Sequence, residues 1–232
     1  MGTFQTIAGL TSLLLGFISL SACGTLADER TYTADGDFSS VKIRLTNGDL
    51  SVVTGVSDEV EIDVDFSGFA NADDVSRYVK DDQLVVNYSC PLCGGDLWVE
   101  VPEGMPIEAE LANGDIYLAD LSGKLNANVQ NGGIEGLHLS GDAHLSARAG
   151  TVTLEYEERP DFVLAETTVG VIDVYVPTGG YDLEFGGNAG VVHLTDVFVD
   201  ETAESQLKLF TETGEINVTG RSLSPLDEPA PQ

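Results

Sequence analysis

The sequence predicts an all-β chain, folded as a single-stranded parallel β-helix or β-roll of about eight coils of roughly 18–20 residues. Three observations predict it. First, glycine recurs at Gly95, Gly114, Gly132, Gly150, Gly170, Gly190 and Gly214, at intervals of 19, 18, 18, 20, 20 and 24 residues. Second, an aliphatic residue stands two positions after each: Leu97, Ile116, Ile134, Val152, Ile172, Val192 and Ile216. Another stands four positions after, except at Gly136. Third, the pattern between glycines alternates with period two, and no helical period appears. An antiparallel sandwich also alternates, but its strands come every ~8–12 residues without a shared phase. A phase held over many copies marks one small unit stacked on itself, with strands pairing in parallel at ~4.8 Å.

The elements follow in chain order. Residues 7–20 are an apolar run, shorter than the roughly 20 residues that span a bilayer. Leu20-Ser21-Ala22-Cys23 follows and resembles a lipobox, the motif at which bacterial lipoprotein precursors are cut. That resemblance makes residues 1–22 a signal peptide and Cys23 the lipidated first residue of the mature chain. Residues 1–22 hold no Lys or Arg, where a signal normally has a basic start. An uncleaved anchor, a buried helix and a plain secretory signal are the competing readings. Met1-Gly2-Thr3-Phe4-Gln5-Thr6 also fits the myristoylation pattern. Residues 23–36 read as a tether, and 221–232, rich in proline, as a disordered tail.

The repeat domain spans 37–220. Phe38–Leu45 alternates as a half-buried strand, Asn47-Gly48-Asp49 is a turn, and Leu50-Ser51-Val52 begins an early copy of the unit. Val60–Phe66 continues the alternation. Residues 67–82 break it and read as an insertion with a short helix, Val75, Tyr78 and Val79 on one face. From Gly94 to Gly220 each unit holds two short alternating runs with turn residues at both ends. The glycine is expected at a corner with positive φ, which is inexpensive only without a Cβ.

Net charge is −29, with Lys42, Lys80, Lys124 and Lys208 the only lysines. Such a surface repels nucleic acid and anionic lipid. It keeps an exposed protein soluble, resembles adaptation to high salt, and attracts cations. Salt adaptation predicts a melting temperature that rises with added NaCl. Cys90 and Cys93 are the only other cysteines. In an oxidising compartment they read as a local disulfide. A redox motif would precede a helix, and a structural zinc site would need four ligands.

The Asn-Gly-Asp-Ile and Gly-x-Ile-x-Val units, the acidic strand-rich chain and the lipobox together resemble the putative adhesins, from about Phe38 to Thr219. The resemblance implies a β-helical domain of unknown function displayed on the cell envelope. It supplies no catalytic motif.

Two columns of residues are candidates for chemistry. Corner acids Asp49, Asp96 and Asp115 would stand at the same turn of different coils, with Asp96 and Asp115 a weak calcium candidate against the alternative of solvated turn acids. Three residues after each glycine stand Ser51, Trp98, Tyr117, Glu135, Thr153, Asp173, His193 and Asn217. Trp98 and Tyr117 are expected one coil apart. With Glu135 beside them they would form a platform for a sugar or a cation, unless residues 67–82 cover them. His138, His144 and His193 lie in no nucleophile motif. The leading reading is a membrane-tethered, non-catalytic envelope protein for surface binding or scaffolding, its ligand a glycan or surface protein, with no cofactor. Polysaccharide-active enzyme and accessory or sensory lipoprotein are the alternatives.

Overall fold

The computed structural model describes residues 28–34, 36–67, 74–90, 93–188 and 190–222. The signal-like segment, Cys23, residues 68–73 of the insertion and the tail from 223 lie outside these. Among the described residues there is no α-helix; the period-two alternation yields strands throughout. In chain order these are β1 (Asp28–Ala34), β2 (Ser40–Asn47), β3 (Leu50–Thr54), β4 (Val60–Ser67), β5 (Val75–Lys80) and β6 (Gln83–Tyr88). Then come β7 (Gly94–Val101), β8 (Ile107–Asn113), β9 (Ile116–Ala119), β10 (Leu125–Asn131), β11 (Ile134–Leu139) and β12 (Ala143–Ala149). The last are β13 (Val152–Tyr156), β14 (Phe162–Pro177), β15 (Gly179–Gly187), β16 (Val191–Thr195), β17 (Val197–Val199) and β18 (Gln206–Arg221).

The strands form two ladders that share one core. The first runs β5-β6-β2-β8-β10-β12-β14-β18-β15. The second runs β1-β4-β7-β3-β9-β11-β13-β14-β18-β16. β14 and β18 are long enough to serve both ladders, so each tier consists of two short strands or one long one. Ten strands in the second ladder at ~4.8 Å give a stack about 43 Å long.

The all-β expectation holds, but a uniformly parallel coil does not describe the molecule. β1–β4, β4–β7 and β5–β6 pair antiparallel, and the sheet is mixed. The helix expected within 67–82 is strand β5. Asp81 and Asp82 both have positive φ (52° and 65°), the backbone of a two-residue hairpin turn that returns the chain antiparallel into β6. The tether expected over 23–36 is also partly strand. β1 lies on β4, and Tyr32 and Ala34 pack against the core.

Spatial order departs from chain order at both ends. The tier β2/β3 lies between β6/β7 and β8/β9. β18 lies between β14 and the β15/β16 tier. In each case an outer tier is separated from the body by a tier from elsewhere in the chain.

Inward residues stack in columns. Leu97, Leu50, Ile116, Ile134, Val152, Ile172 and Ile216 form one, each nearly or wholly buried. Each such side chain contributes about 1.5–3 kcal/mol by leaving water. Gly136, the break in the repeat, has a packing reason. The register shifts between Gly136 and Leu139, and the Leu139 Cδ1 lies 2.6 Å from where a Cβ on Gly136 would stand. Leu139 fills the inward slot from three residues further on.

The corner glycines work by close approach as much as by dihedral angle. Gly114 and Gly132 have φ of 133° and 140°, and a Cβ there would stand 1.9 and 1.8 Å from the carbonyl oxygen of the corner glycine one tier away. Asn47, Asn113 and Asn131 form a ladder beside them: Asn131 Nδ2 donates to Asn113 Oδ1, and Asn113 Nδ2 to Asn47 Oδ1, both at 2.9 Å. Gly95 and Gly190, at the two end tiers, do not share the positive φ expected of every corner.

Candidate ligand-binding face

The outward column of the second ladder reads, in spatial order, Thr31, Asp63, Trp98, Ser51, Tyr117, Glu135, Thr153, Asp173, Asn217 and His193. Every residue expected in it is present. Their order differs at the point that matters. Because β3 is intercalated between β7 and β9, Ser51 stands between Trp98 and Tyr117, so the two aromatics are not stacked neighbours. They sit about 10 Å apart, two strand spacings.

The substitution of a serine for a stacked ring makes a groove. Trp98 and Tyr117 rise as walls, 46% and 41% exposed, so the described part of the insertion leaves them open. Ser51 is its floor, and Glu29, Asp49, Asp63, Asp65 and Asp96 line it. The volume is about 510 Å³. The lining side chains include no Lys, Arg or His. Trp98 Nε1 donates to Glu100 Oε1 at 3.4 Å. A second, shallower hollow of about 170 Å³ lies beyond Tyr117 and is bordered by Asp115 and Glu135. Burial of its ring, and then the charges of Asp115, Asp49 and Glu135, push the Tyr117 phenol pKa above its usual value. The hydroxyl therefore stays a neutral donor into alkaline solution.

The corner acids have a structural task. Asp96 Oδ1 accepts from the Asp49 amide at 2.8 Å, Asp49 Oδ1 from the Asp115 amide at 2.9 Å, and Asp115 Oδ1 from the Gly133 amide at 2.6 Å. Each carboxylate thus ties the corner of one tier to the next, in the order imposed by the intercalation. The chain of bonds ends at Gly133, which has no side chain to pass it on.

Cys90 and Cys93 are joined by a disulfide, with Cα atoms 5.3 Å apart. It stands where the neighbouring tiers have Asn-Gly: Asn47 Nδ2 donates to the carbonyls of Cys90 (3.0 Å) and Cys93 (3.2 Å). The cross-link closes the corner of the β6/β7 tier. The histidines are dispersed. His138 Nδ1 lies 3.2 Å from Asp120, His144 Nε2 lies 3.6 Å from Glu166, and His193 is on the end strand β16.

Sequence reasoning placed Trp98, Tyr117 and Ser51 in one outward column but missed one wall of acids. Asp63, Asp65 and Glu29 come from antiparallel strands outside the repeat. The one available signal was the 47-residue gap between Gly48 and Gly95, more than twice the period.

No family model and no curated protein matches the chain. Solved structures do. A putative cell adhesion protein from Clostridium sporogenes is 16% identical, covers 84% of this chain and 100% of its own, and superposes with a TM-score of 0.50. Putative adhesins from Parabacteroides merdae and Bacteroides fragilis are 14% and 11% identical. They cover 83% and 84% of this chain and 95% and 97% of theirs, with TM-scores of 0.37 and 0.38. The likeness to the Clostridium sporogenes protein is one of fold.

Proposed function

We propose that this chain is a cell-envelope binding protein, tethered by lipid at Cys23, whose ligand face is the groove between Trp98 and Tyr117. The observation that carries the reading is the pair of exposed aromatic walls astride Ser51. The two rings face solvent on the same column with only a serine between them, across a gap wide enough for one ring. A sugar ring stacks on such walls, and the carboxylates around it accept hydrogen bonds from its hydroxyls. The ligand class is a glycan of a cell surface, and the role is binding rather than chemistry. The groove supplies carboxylate acceptors for a glycan's hydroxyls and two aromatic faces for its ring, which is what binding requires.

The stack supports display. Treated as one coil, its two ladders make a rod of about eight tiers, with the antiparallel strands as a cap at one end. β1 starts five residues after Cys23 and lies at that capped end. A lipid at Cys23 would therefore hold the cap to the membrane and point the rod outward. Lipid with a second acyl group makes such a tether durable.

A glycan array and a whole-cell binding assay test the function, with Trp98→Ala and Tyr117→Ala beside the parent chain. Both rings are exposed, so the variants should melt within a few degrees of the parent. Loss of glycan and cell binding in both supports the reading; undiminished binding by both removes the groove as the site. Metabolic labelling with a fatty acid, absent from Cys23→Ser, tests the tether.

A further inference from the structure

The two ends of the stack are built differently, and the β15/β16 end has an edge that nothing in the described chain covers. Among the described residues, Asp182–Gly187 of β15 and Val191–Thr195 of β16 pair on one side only, with β18. Their other side presents backbone donors and acceptors to solvent. The inward positions of this last tier stay open: Val192 and Leu194, which continue the core columns, are 37% and 39% exposed. Phe198 and Val199, on the adjoining β17, are 60% and 52% exposed.

Natural sheets blunt such edges with charge, proline or a bulge. The other end obeys this rule, its outermost strands carrying Glu29, Arg30, Arg77 and Lys80. β16 reads Val-Val-His-Leu-Thr and β17 reads Val-Phe-Val, with no Asp, Glu, Lys, Arg or Pro, in a chain of net charge −29. The β15 part of the edge keeps Asp182 and Glu184, the latter paired with Lys208, so in this acidic surface it is the β16 part that is spared of charge and left free to pair.

We propose that the β15/β16 end is a dimerisation surface, and that its occupant is the same end of a second copy of this chain. Three features select a second copy. Two edges must be covered together, at the separation fixed by the core between the ladders, and another tier of the same cross-section provides two strands at that separation. A two-fold axis perpendicular to the stack reverses strand direction, so the end strands meet antiparallel and the core columns run on from one copy into the next. The capped end cannot take part, so assembly closes at two and does not run on into fibres. The contact unites two bodies of charge −29, so association strengthens with salt.

Sedimentation equilibrium of the chain at 20 and 500 mM NaCl tests this, with Val192→Lys and Leu194→Lys as edge variants and Val79→Lys on the capped-end strand β5 as control. The expected result is a dimer that tightens at least tenfold between the two salts. Each edge variant should weaken it at least a hundredfold, while Val79→Lys leaves it intact. Circular dichroism and melting of the edge variants, unchanged from the parent, separate lost pairing from lost folding. Amide exchange gives a second reading: β16 amides should slow as protein concentration rises. A monomer at 100 μM in 500 mM NaCl overturns the proposal. So does a dimer that Leu194→Lys leaves untouched. So does a monomer that dimerises once residues 223–232 are deleted, since the tail would then be the occupant.

Discussion

The two ends of the stack start from the same repeat and finish differently. At one end β4 and β5 run antiparallel over the last parallel tier, and β1 follows β4 outward. The cap is fastened laterally: the Arg77 guanidinium of β5 lies 3.5 Å from the centre of the Tyr32 ring on β1. Val60, Ile62 and Val64 are wholly buried there, although they lie outside the glycine period. At the other end Gly190, Val192 and Leu194 keep the period, yet Val192 and Leu194 stay partly in solvent. Position in the repeat assigns a side chain to the inside; a neighbour on both sides is what buries it. A cap is made by segments that abandon the repeat, and an uncapped end is a tier whose next copy is missing.

The largest expected contrast is at the glycine corners. Gly132→Val places a side chain against a carbonyl oxygen 1.8 Å from its Cβ, at positive φ. Overpacking and backbone strain together should cost at least about 3 kcal/mol. Gly190→Val, at the open end, meets only one atom, at 3.3 Å, and should cost under about 1 kcal/mol. Denaturant titration reads both, and equal costs would show that the end tier is as confined as the middle. Core truncation repeats the comparison with another probe. Leu154→Ala, wholly buried mid-stack, should cost about 2–5 kcal/mol. Leu194→Ala should cost about 1 kcal/mol or less in the monomer, since its side chain is already 39% exposed.

The disulfide concerns the capped end alone. It closes a loop of sequence separation three, so loop-closure entropy assigns it about 2 kcal/mol. Cys90→Ser with Cys93→Ser should lower stability by that order. Amide exchange should quicken first in β6 and β7, whose corner it closes, with β14 and β18 little affected. Uniform quickening along the stack would mean that the cap and body unfold as one unit.

How much of this was legible follows from where the period holds. Strand content, the inward columns and the exposed column with Trp98 and Tyr117 were readable because residue spacing alone determines them. The neighbour relation of those two rings was not. Spacing along the chain puts Tyr117 next after Trp98, but β3 is intercalated there, and insertion of a distant tier leaves no trace in a period. Helix over strand for β5 was a local misjudgement. Val75, Tyr78 and Val79 share a helical face, whereas the Asp81-Asp82 turn and the edge left open on β6 favour a hairpin. The corner acids were read correctly as a column, and their hydrogen bonds to the next tier's amides required the tier order.

The smallest effect bears on what holds the intercalated tiers in place. They carry four of the ten basic residues, each reaching another tier: Lys42 and Arg44 on β2, Lys208 on β18, and Arg221 on β18, which lies over Tyr175 of β14 and extends to Glu155 of β13. Near the capped end Lys42 lies beside Glu108 and 2.7 Å from Glu110, and Arg44 Nε lies 2.9 Å from Glu110. Near the open end Lys208 meets Glu184 at 2.9 Å. Burial alone would raise the Glu110 pKa, but the hydrogen bonds from Lys42 and Arg44 outweigh it and hold the carboxyl below its usual range. A depressed carboxyl contributes stability above its unfolded pKa, about 4.3, and loses it as pH falls through the folded value. Glu110→Gln should therefore lower stability at pH 7 by under about 1 kcal/mol, and the deficit should vanish on acidification below about pH 4. Glu184→Gln should do less, because the Lys208 side chain is 36% exposed where that of Lys42 is 12% exposed, and water screens the pair. Equal deficits at both sites, or a Glu110→Gln deficit that survives at pH 3, would show that charge does not distinguish the two intercalations.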